Sequence, residues 1–349
     1  MTDTLQTLLP APSGWIILDK PVGLGSTQAV AAVKRNLREA GYGKKVKVGH
    51  GGTLDPLASG ILPVALGEAT KLTGRMLDAS KVYEFTVRFG EETDTLDLEG
   101  AVIATSDVRP TLEQVKAVLV RFIGPVEQVP PAYSALKIDG QRAYDLARAG
   151  EEVTLKPRSV EIFDLKFLPG LVSGRAAARS VVEGGRANSP SIMTPEAPRS
   201  SSPCEFGEEL VEDMTFRAHV SKGTYIRSLA RDIAQALGSC GTVTMLRRIQ
   251  AGPFGLSHAI SLDKLNETGK GAPLEHVLLP LEAGLDDIPA IDLGPEQARA
   301  VRQGRVLTGL PQEDGLHWAR EGRLPVALME LSGGDARVVR GFNLTDVAE

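Results

Sequence analysis

The chain has 349 residues, 42% hydrophobic and 24% charged, with a formal net charge of -5. That length buries a sizeable core and suggests about two domains. The acidic balance excludes a protein that coats nucleic acid by bulk charge, although a basic groove on one face stays open to it. Two cysteines, Cys204 and Cys240, make neither a disulfide framework nor a Cys-x-x-Cys metal site and are read as free thiols of a reducing cytoplasm.

Met1 to Pro12 lacks the cationic and apolar regions of a signal peptide, and no later apolar run is long enough to span a bilayer, so a cytoplasmic protein without membrane contact is expected. Trp15 to Leu18 read as a short strand ending in the turn Asp19-Lys20-Pro21-Val22-Gly23. Ser26 or Thr27 then caps a helix with Val30, Val33 and Leu37 on one face, ending near Gly41. From Lys34 to Lys47 six cations face the single acid Glu39; such a run is ordinarily a solvated face, and beside a reactive loop it becomes a candidate for phosphate contact. Next comes His50-Gly51-Gly52-Thr53-Leu54-Asp55-Pro56-Leu57-Ala58-Ser59-Gly60. Pro56 has no N–H and pushes Asp55 out of the α region, while the glycines allow angles and approaches that a Cβ forbids. Asp55 is the candidate nucleophile; an isolated Asp-Pro would be only a turn.

Lys81 to Phe89 alternate strictly, with Tyr83, Phe85, Val87 and Phe89 on one face of a strand. Thr111 and Gln114 form a capping box for a helix carrying Val115, Val118, Leu119 and Phe122, ended by Gly124. Residues 169 to 209, rich in Gly, Ser, Pro and Arg and without periodicity, read as a mobile insertion. Met214 to Val220 alternate as another strand, and Ser221-Lys222-Gly223 turns into a helix bearing Ile226, Leu229, Ile233 and Leu237, stopped by Gly238. From 289 to 349 a helix around Pro295 to Gln303 precedes short strands at Val326 to Glu330 and Val338 to Arg340, a small β-rich appended domain. Strands and helices mix without a βαβ rhythm, which predicts an α+β fold with a mixed, largely antiparallel sheet flanked by helices.

No Gly-rich stretch matches a dinucleotide or Walker loop, no Gly-x-Ser-x-Gly elbow is present, and His50, His219, His258, His276 and His317 lie far apart without ligand-spaced partners, so no metal site is expected. What remains is an ordered set of pieces: Asp19 to Ser26, His50 to Gly60, Gly67 to Lys71, Tyr83, Pro130 to Lys137, Gly140 to Tyr144, Ser221 to Arg227, and Leu246-Arg247-Arg248. Together, from about Gly14 to Asp263, they resemble the TruB-type tRNA pseudouridine synthases. The likeness of the last part to that family's small C-terminal RNA-binding (PUA-like) domain is much weaker. One departure is Gly25, where the family usually has Thr or Ser.

The resemblance implies a catalytic domain over 14–288, with 169–209 inserted, and a PUA-like domain over 289–349. It implies isomerisation of uridine 55 in the tRNA T-loop, without cofactor or metal, by detaching uracil from its ribose and rejoining it through carbon. Asp55 matches the catalytic aspartate, attacking either the sugar C1′ or the base C6. Arg227 is expected to keep it ionised and aimed, since an adjacent guanidinium lowers a carboxylate pKa by roughly 1–3 units. Tyr83 matches a tyrosine that stacks on the base and handles protons, though its strand face also suits the core; Tyr225 lines the pocket and Leu246 contacts substrate. His50 matches a histidine beside the flipped nucleotide. Lys20 and Lys71 either contact the RNA backbone or brace the loop around Asp55. The partner is tRNA alone, for a monomer needing no other protein. Three rival readings stay open: a guide-RNA-dependent synthase, for which the acidic end Gly341 to Glu349 is a poor fit; an RNA-folding chaperone; and a carboxylate glycosidase, which needs a second acid at about 5–5.5 Å.

Overall fold

The computed structural model describes Leu9 and residues 11–43, 45–138, 140–151, 153–174 and 210–344. Cys204, most of the 169–209 insertion and the last five residues lie outside the described residues. The chain forms two compact units: Met1–Glu84 with His219–Gly223 and Leu246–Glu349, and Phe85–Ala218 with Thr224–Met245. The strands Lys81–Phe89, Val211–Val220 and Gly241–Ala251 each contribute residues to both. The fold is α+β with a largely antiparallel main sheet, as the mixed pattern predicts.

In the first unit, Gly14–Lys20 pairs antiparallel with Ser59–Leu66 along its whole length. The other edge of Ser59–Leu66 is shared: Val48–His50 pairs antiparallel with Val64 to Leu66, and Arg247 and Arg248 pair in parallel with Ser59 and Gly60. The loop 51–58 therefore leaves one neighbour of this strand and returns beside the other. A Cβ on Gly60 (φ +102°) would lie 2.1 Å from the Arg248 carbonyl oxygen, so only glycine lets the two backbones pair there. Below the sheet, Ile16, Leu18, Val33, Leu37, Leu54, Ala58, Leu62 and Val64 form one apolar cluster.

The helix Ser26–Glu39 begins differently from the expectation. Its N-cap is Gly25, whose N–H donates to Gln28 Oε1, and Ser26 is already the first helical residue. The hydroxyl expected to cap the helix is used elsewhere, as described below.

In the second unit the strand order is Lys81–Phe89, Val211–Val220, Arg158–Gly174, Gly124–Gln128. Phe85 stacks on Phe216 with ring centroids 5.4 Å apart, and the Thr86 and Thr215 hydroxyls lie 2.8 Å apart. The alternation of Lys81 to Phe89 holds: Phe85, Val87 and Phe89 are buried. Thr111 and Gln114 make both halves of their capping box. Arg158–Gly174 extends into residues assigned by composition to the insertion, because a backbone ladder does not require side-chain alternation.

The C-terminal strands Ala290–Asp292, Gly315–Glu321, Leu324–Ser332 and Asp335–Gly341 form a four-stranded sheet beside the helix Pro295–Arg302. Gly315–Glu321 was not anticipated. These residues belong to the first compact unit, where Trp318, Leu328 and Phe342 share an apolar cluster with Trp15, Ile17, Ile61 and Phe254.

Candidate active site

The loop Gly51 to Ala58 has no regular secondary structure, yet every carbonyl from Gly52 to Pro56 is hydrogen-bonded. Arg248 donates Nη2 to Gly52 O (3.1 Å) and Nη1 to Thr53 O (3.4 Å), with its Nε on Ile61 O at 2.7 Å. Ser26 Oγ donates to Leu54 O and accepts from Leu54 N–H, both at 2.9 Å. Ala58 N–H closes a turn on Asp55 O, and Pro56 O accepts from Gly23 N–H and Lys20 Nζ. The parts of a segment that are buried must satisfy their backbone somewhere, and here three distant side chains contribute. The consequence is a rigid backbone on both sides of a partly buried Asp55.

The same side chains set the electrostatics. Lys20 is 0% exposed, and Nζ also donates to Pro21 O and Leu24 O. Burial pushes its amine down to about 8, with the Asp55 carboxylate drawing it up and the Arg248 guanidinium pressing it down. Of the two roles expected for Lys20, bracing the loop is the one its carbonyl contacts perform. Lys81, whose Nζ donates to Leu77 O and Ala79 O, is likewise brought to about 8 by burial, Arg248 contributing. His50 closes its short strand opposite Val64; burial, and then the Arg248 cation, lower its pKa below the ordinary value. Its ring is therefore neutral at pH 7.

Tyr83 and Leu246, both partly buried, pack against the cluster containing Leu54 and Ala58, the apolar residues on either side of Asp55. Arg247 forks onto Asp19, with Nη1 on Oδ1 at 3.0 Å and Nη2 on Oδ2 at 2.8 Å. Lys71 points elsewhere: its Nζ holds Glu68 Oε2 at 2.7 Å and Gly341 O at 2.8 Å, and Asn343 N–H donates to the same Glu68 oxygen. It ties the 3₁₀ turn Gly67–Leu72 to the end of the C-terminal sheet.

Arg227 and Tyr225 belong to the second unit, at the start of the helix Ile226–Ala236. Arg227 is 5% exposed; Nη1 donates to Thr95 O at 2.6 Å and Nη2 to Tyr133 O at 2.9 Å, and Asp97 lies 3.4 Å away as an ion-pair partner. Asp97 is itself held by Thr95 Oγ1 (2.6 Å) and Glu99 N–H (3.0 Å). Leu96, between Thr95 and Asp97, takes φ +62°, an unusual conformation for a branched side chain at the centre of an ion-pair site. Tyr225 N–H donates to the buried Gln128 side chain at 2.7 Å, and the Arg158 guanidinium sits 4.7 Å from the Tyr225 ring centroid.

Sequence reasoning therefore left out Arg248, Asp97, Gln128 and Arg158 as residues that position others. A signal existed for two. Arg248 sits in the quoted Leu246-Arg247-Arg248 piece, and Thr93-Asp94-Thr95-Leu96-Asp97 is a polar run too dense for an ordinary hairpin. Among the described residues no three His, Cys, Asp or Glu side chains come together as a metal site requires, and no helix is long and apolar enough to cross a membrane.

Residues 38–179 match the model of the TruB family pseudouridylate synthase N-terminal domain, and residues 227–286 that of the tRNA pseudouridylate synthase B C-terminal domain. The tRNA pseudouridine synthase B of Novosphingobium aromaticivorans is 65% identical over 336 residues, spanning 96% of this chain and 99% of that one. Those of Zymomonas mobilis and Caulobacter vibrioides are 53% and 43% identical, each over at least 96% of this chain and 97% of the relative. Among solved structures, a chain of an H/ACA ribonucleoprotein bound to a substrate RNA containing 2′-deoxyuridine shares the fold. Its TM-score is 0.63 at 23% identity, covering 95% of this chain and 86% of that one. A Cbf5-Nop10-Gar1 complex matches with the same TM-score at 25% identity, over 94% and 84%.

Proposed function

This chain belongs to the TruB family of pseudouridylate synthases, and from that premise we propose that it is a stand-alone isomerase converting uridine 55 of the tRNA T-loop to pseudouridine. The observation that carries this reading is the Asp55 loop, with each carbonyl from Gly52 to Pro56 bonded so that one carboxylate is presented from a fixed backbone. An ionised, oriented carboxylate is a competent nucleophile toward C1′ or C6. Through its adduct the N1–C1′ bond breaks, the freed uracil turns and C5 bonds to C1′, and the bond to Asp55 is broken again before product leaves; C5 loses one proton and N1 gains one, so substrate and product are isomers.

In this reading Arg227 and Tyr225 serve the same reaction as Asp55, Tyr83 stacks on the base and takes part in moving the C5 proton, and Leu246 contacts the substrate. Rotating the base out of the loop costs a few kcal/mol, and His50, neutral at pH 7, fills space beside the flipped nucleotide without adding charge. Residues 14–288 carry the chemistry and 289–349 add RNA contact. The enzyme works as a cytoplasmic monomer on tRNA, with no guide RNA, protein partner, metal or cofactor.

The test is incubation of the purified protein, and of Asp55→Asn beside it, with an unmodified tRNA transcript and no other RNA, mapping pseudouridine chemically. Modification confined to the T-loop uridine and abolished in Asp55→Asn is expected. Binding without modification by the unaltered protein would favour a guide-dependent enzyme or a chaperone.

A further inference from the structure

The helix Ser26–Glu39 is anchored on one flank, where Asn36 Nδ2 and Arg35 Nη2 donate to Asn266 Oδ1 at 3.0 and 3.2 Å. Lys34 and Arg38, one turn apart, are exposed and line a cavity of about 320 Å³ together with Leu37, Val46 and Val48. None of the loop residues 51–58 lines it. Like charges at i and i+4 destabilise a helix by about 0.2–0.5 kcal/mol. Neither cation forms an ion pair among the described residues, and the same holds for Arg35, Lys45 and Lys47.

Two unneutralised cations on the rim of an aliphatic cavity suit an amphipathic anion, with charge at the rim and a flat apolar face against the floor. A nucleotide has that composition, its phosphate for Lys34 and Arg38 and its base for Leu37, Val46 and Val48. The volume falls at the small end of ligand sites, about 300–1,000 Å³. The floor also gives direction: Val46 leads into the strand Val48–His50, which runs directly into the Asp55 loop. We propose that this cavity is a nucleotide subsite that holds the RNA backbone flanking the target uridine. The proposal rests on the tRNA reading above for the identity of the RNA.

The experiment measures equilibrium binding of an unmodified tRNA transcript, and of its isolated T-arm hairpin, to the full chain and to Lys34→Gln/Arg38→Gln across a salt series. Each single-strand phosphate contact contributes a slope of about -0.7 in log K against log salt, and each duplex contact about -0.9. Losing two makes the slope shallower by about 1.4–1.8 and weakens binding about tenfold near 0.15 M salt. Both effects are expected with the hairpin as well as the whole tRNA. A matched variant, Arg121→Gln/Lys270→Gln, removes the same charge from exposed sites elsewhere and should shift the slope much less. An unchanged slope, an equal change in the matched variant, or an effect absent from the hairpin would overturn the subsite. A wild-type protein that makes no pseudouridine but whose slope still depends on Lys34 and Arg38 would overturn the proposed function and leave the subsite standing. Thermal melts of both variants separate a folding defect from lost contacts.

Discussion

Replacing Arg248 with Met should disturb stability, titration and catalysis together, because one buried guanidinium carries all three. Arg248 is 1% exposed, and Met conserves much of its length while removing its donors and its charge. Hydrogen bonds from a charged donor contribute about 1.5–3 kcal/mol each, and a buried acceptor left bare costs about 1–3 kcal/mol. The bonds to Ile61 O and Gly52 O then sum to about 3–6 kcal/mol, the long one to the exposed Thr53 adding little. That is a large part of a domain stability of about 5–15 kcal/mol, so a marked drop in urea midpoint is expected. The same cation lowers the pKa values of Lys20, His50 and Lys81. Its removal should therefore move the His50 titration upward toward 6.5, read by NMR of the imidazole nitrogens. Freed of two carbonyl anchors, the Asp55 loop loses its aim, and a displacement near 1 Å costs about 100-fold in rate. Arg248→Lys, keeping a cation without the fork, should retain part of the His50 shift and recover little of the rate. If Arg248→Met leaves the urea midpoint and the His50 titration where they were, the account of this loop is wrong.

Ser26→Ala should destabilise by about 1–3 kcal/mol, since it strips the hydroxyl that bonds both the N–H and the C=O of Leu54, and should lower the single-turnover rate; a wild-type rate would show that Asp55 needs no such clamp. Asp97→Asn removes the buried charge beside Arg227, for which losing one partner of such a pair costs about 3–5 kcal/mol when the geometry is close; at 3.4 Å the lower end is expected, with a loss in kcat larger than any change in KM. Equal kcat in Asp97→Asn and wild type would remove Asp97 from the positioning of Arg227. Lys20 and Lys81 make stability depend on alkaline pH. Both have folded values of about 8, below the 10.5 of the free amine, so between these the unfolded chain holds more protons and stability rises with pH. Below about 8 the full penalty of burying charge is present. Lys81→Met should flatten that rise in denaturant midpoints measured from pH 8 to 10, and an unchanged slope would count against it.

The elements that sequence periodicity identified correctly are those decided by neighbours in the chain. The capping box of Thr111 and Gln114 closes over three positions, and the alternation of Lys81 to Phe89 requires only a period of two. The constrained backbone of the Asp55 loop was legible for a similar reason, because proline and glycine restrict or free their own backbone wherever the chain goes. The strand Gly315–Glu321 and the continuation of Arg158–Gly174 were missed: their backbones are held by ladders to partners that no local pattern names.

Read in chain order, the residues name the candidates for chemistry and the family to which that order points. How those side chains are held is set by contacts between distant segments. The Ser26 hydroxyl, locally available to cap its own helix, goes instead to Leu54, 28 positions away, because Gly25 and Gln28 already provide the cap and the loop has unsatisfied backbone to offer. Arg248 reaches Gly52, 196 positions away, because the parallel pairing with Gly60 brings its strand beside the start of Ser59–Leu66. A hydrogen-bonding group takes the partner that burial leaves it, and burial is a property of the folded chain rather than of any stretch of it.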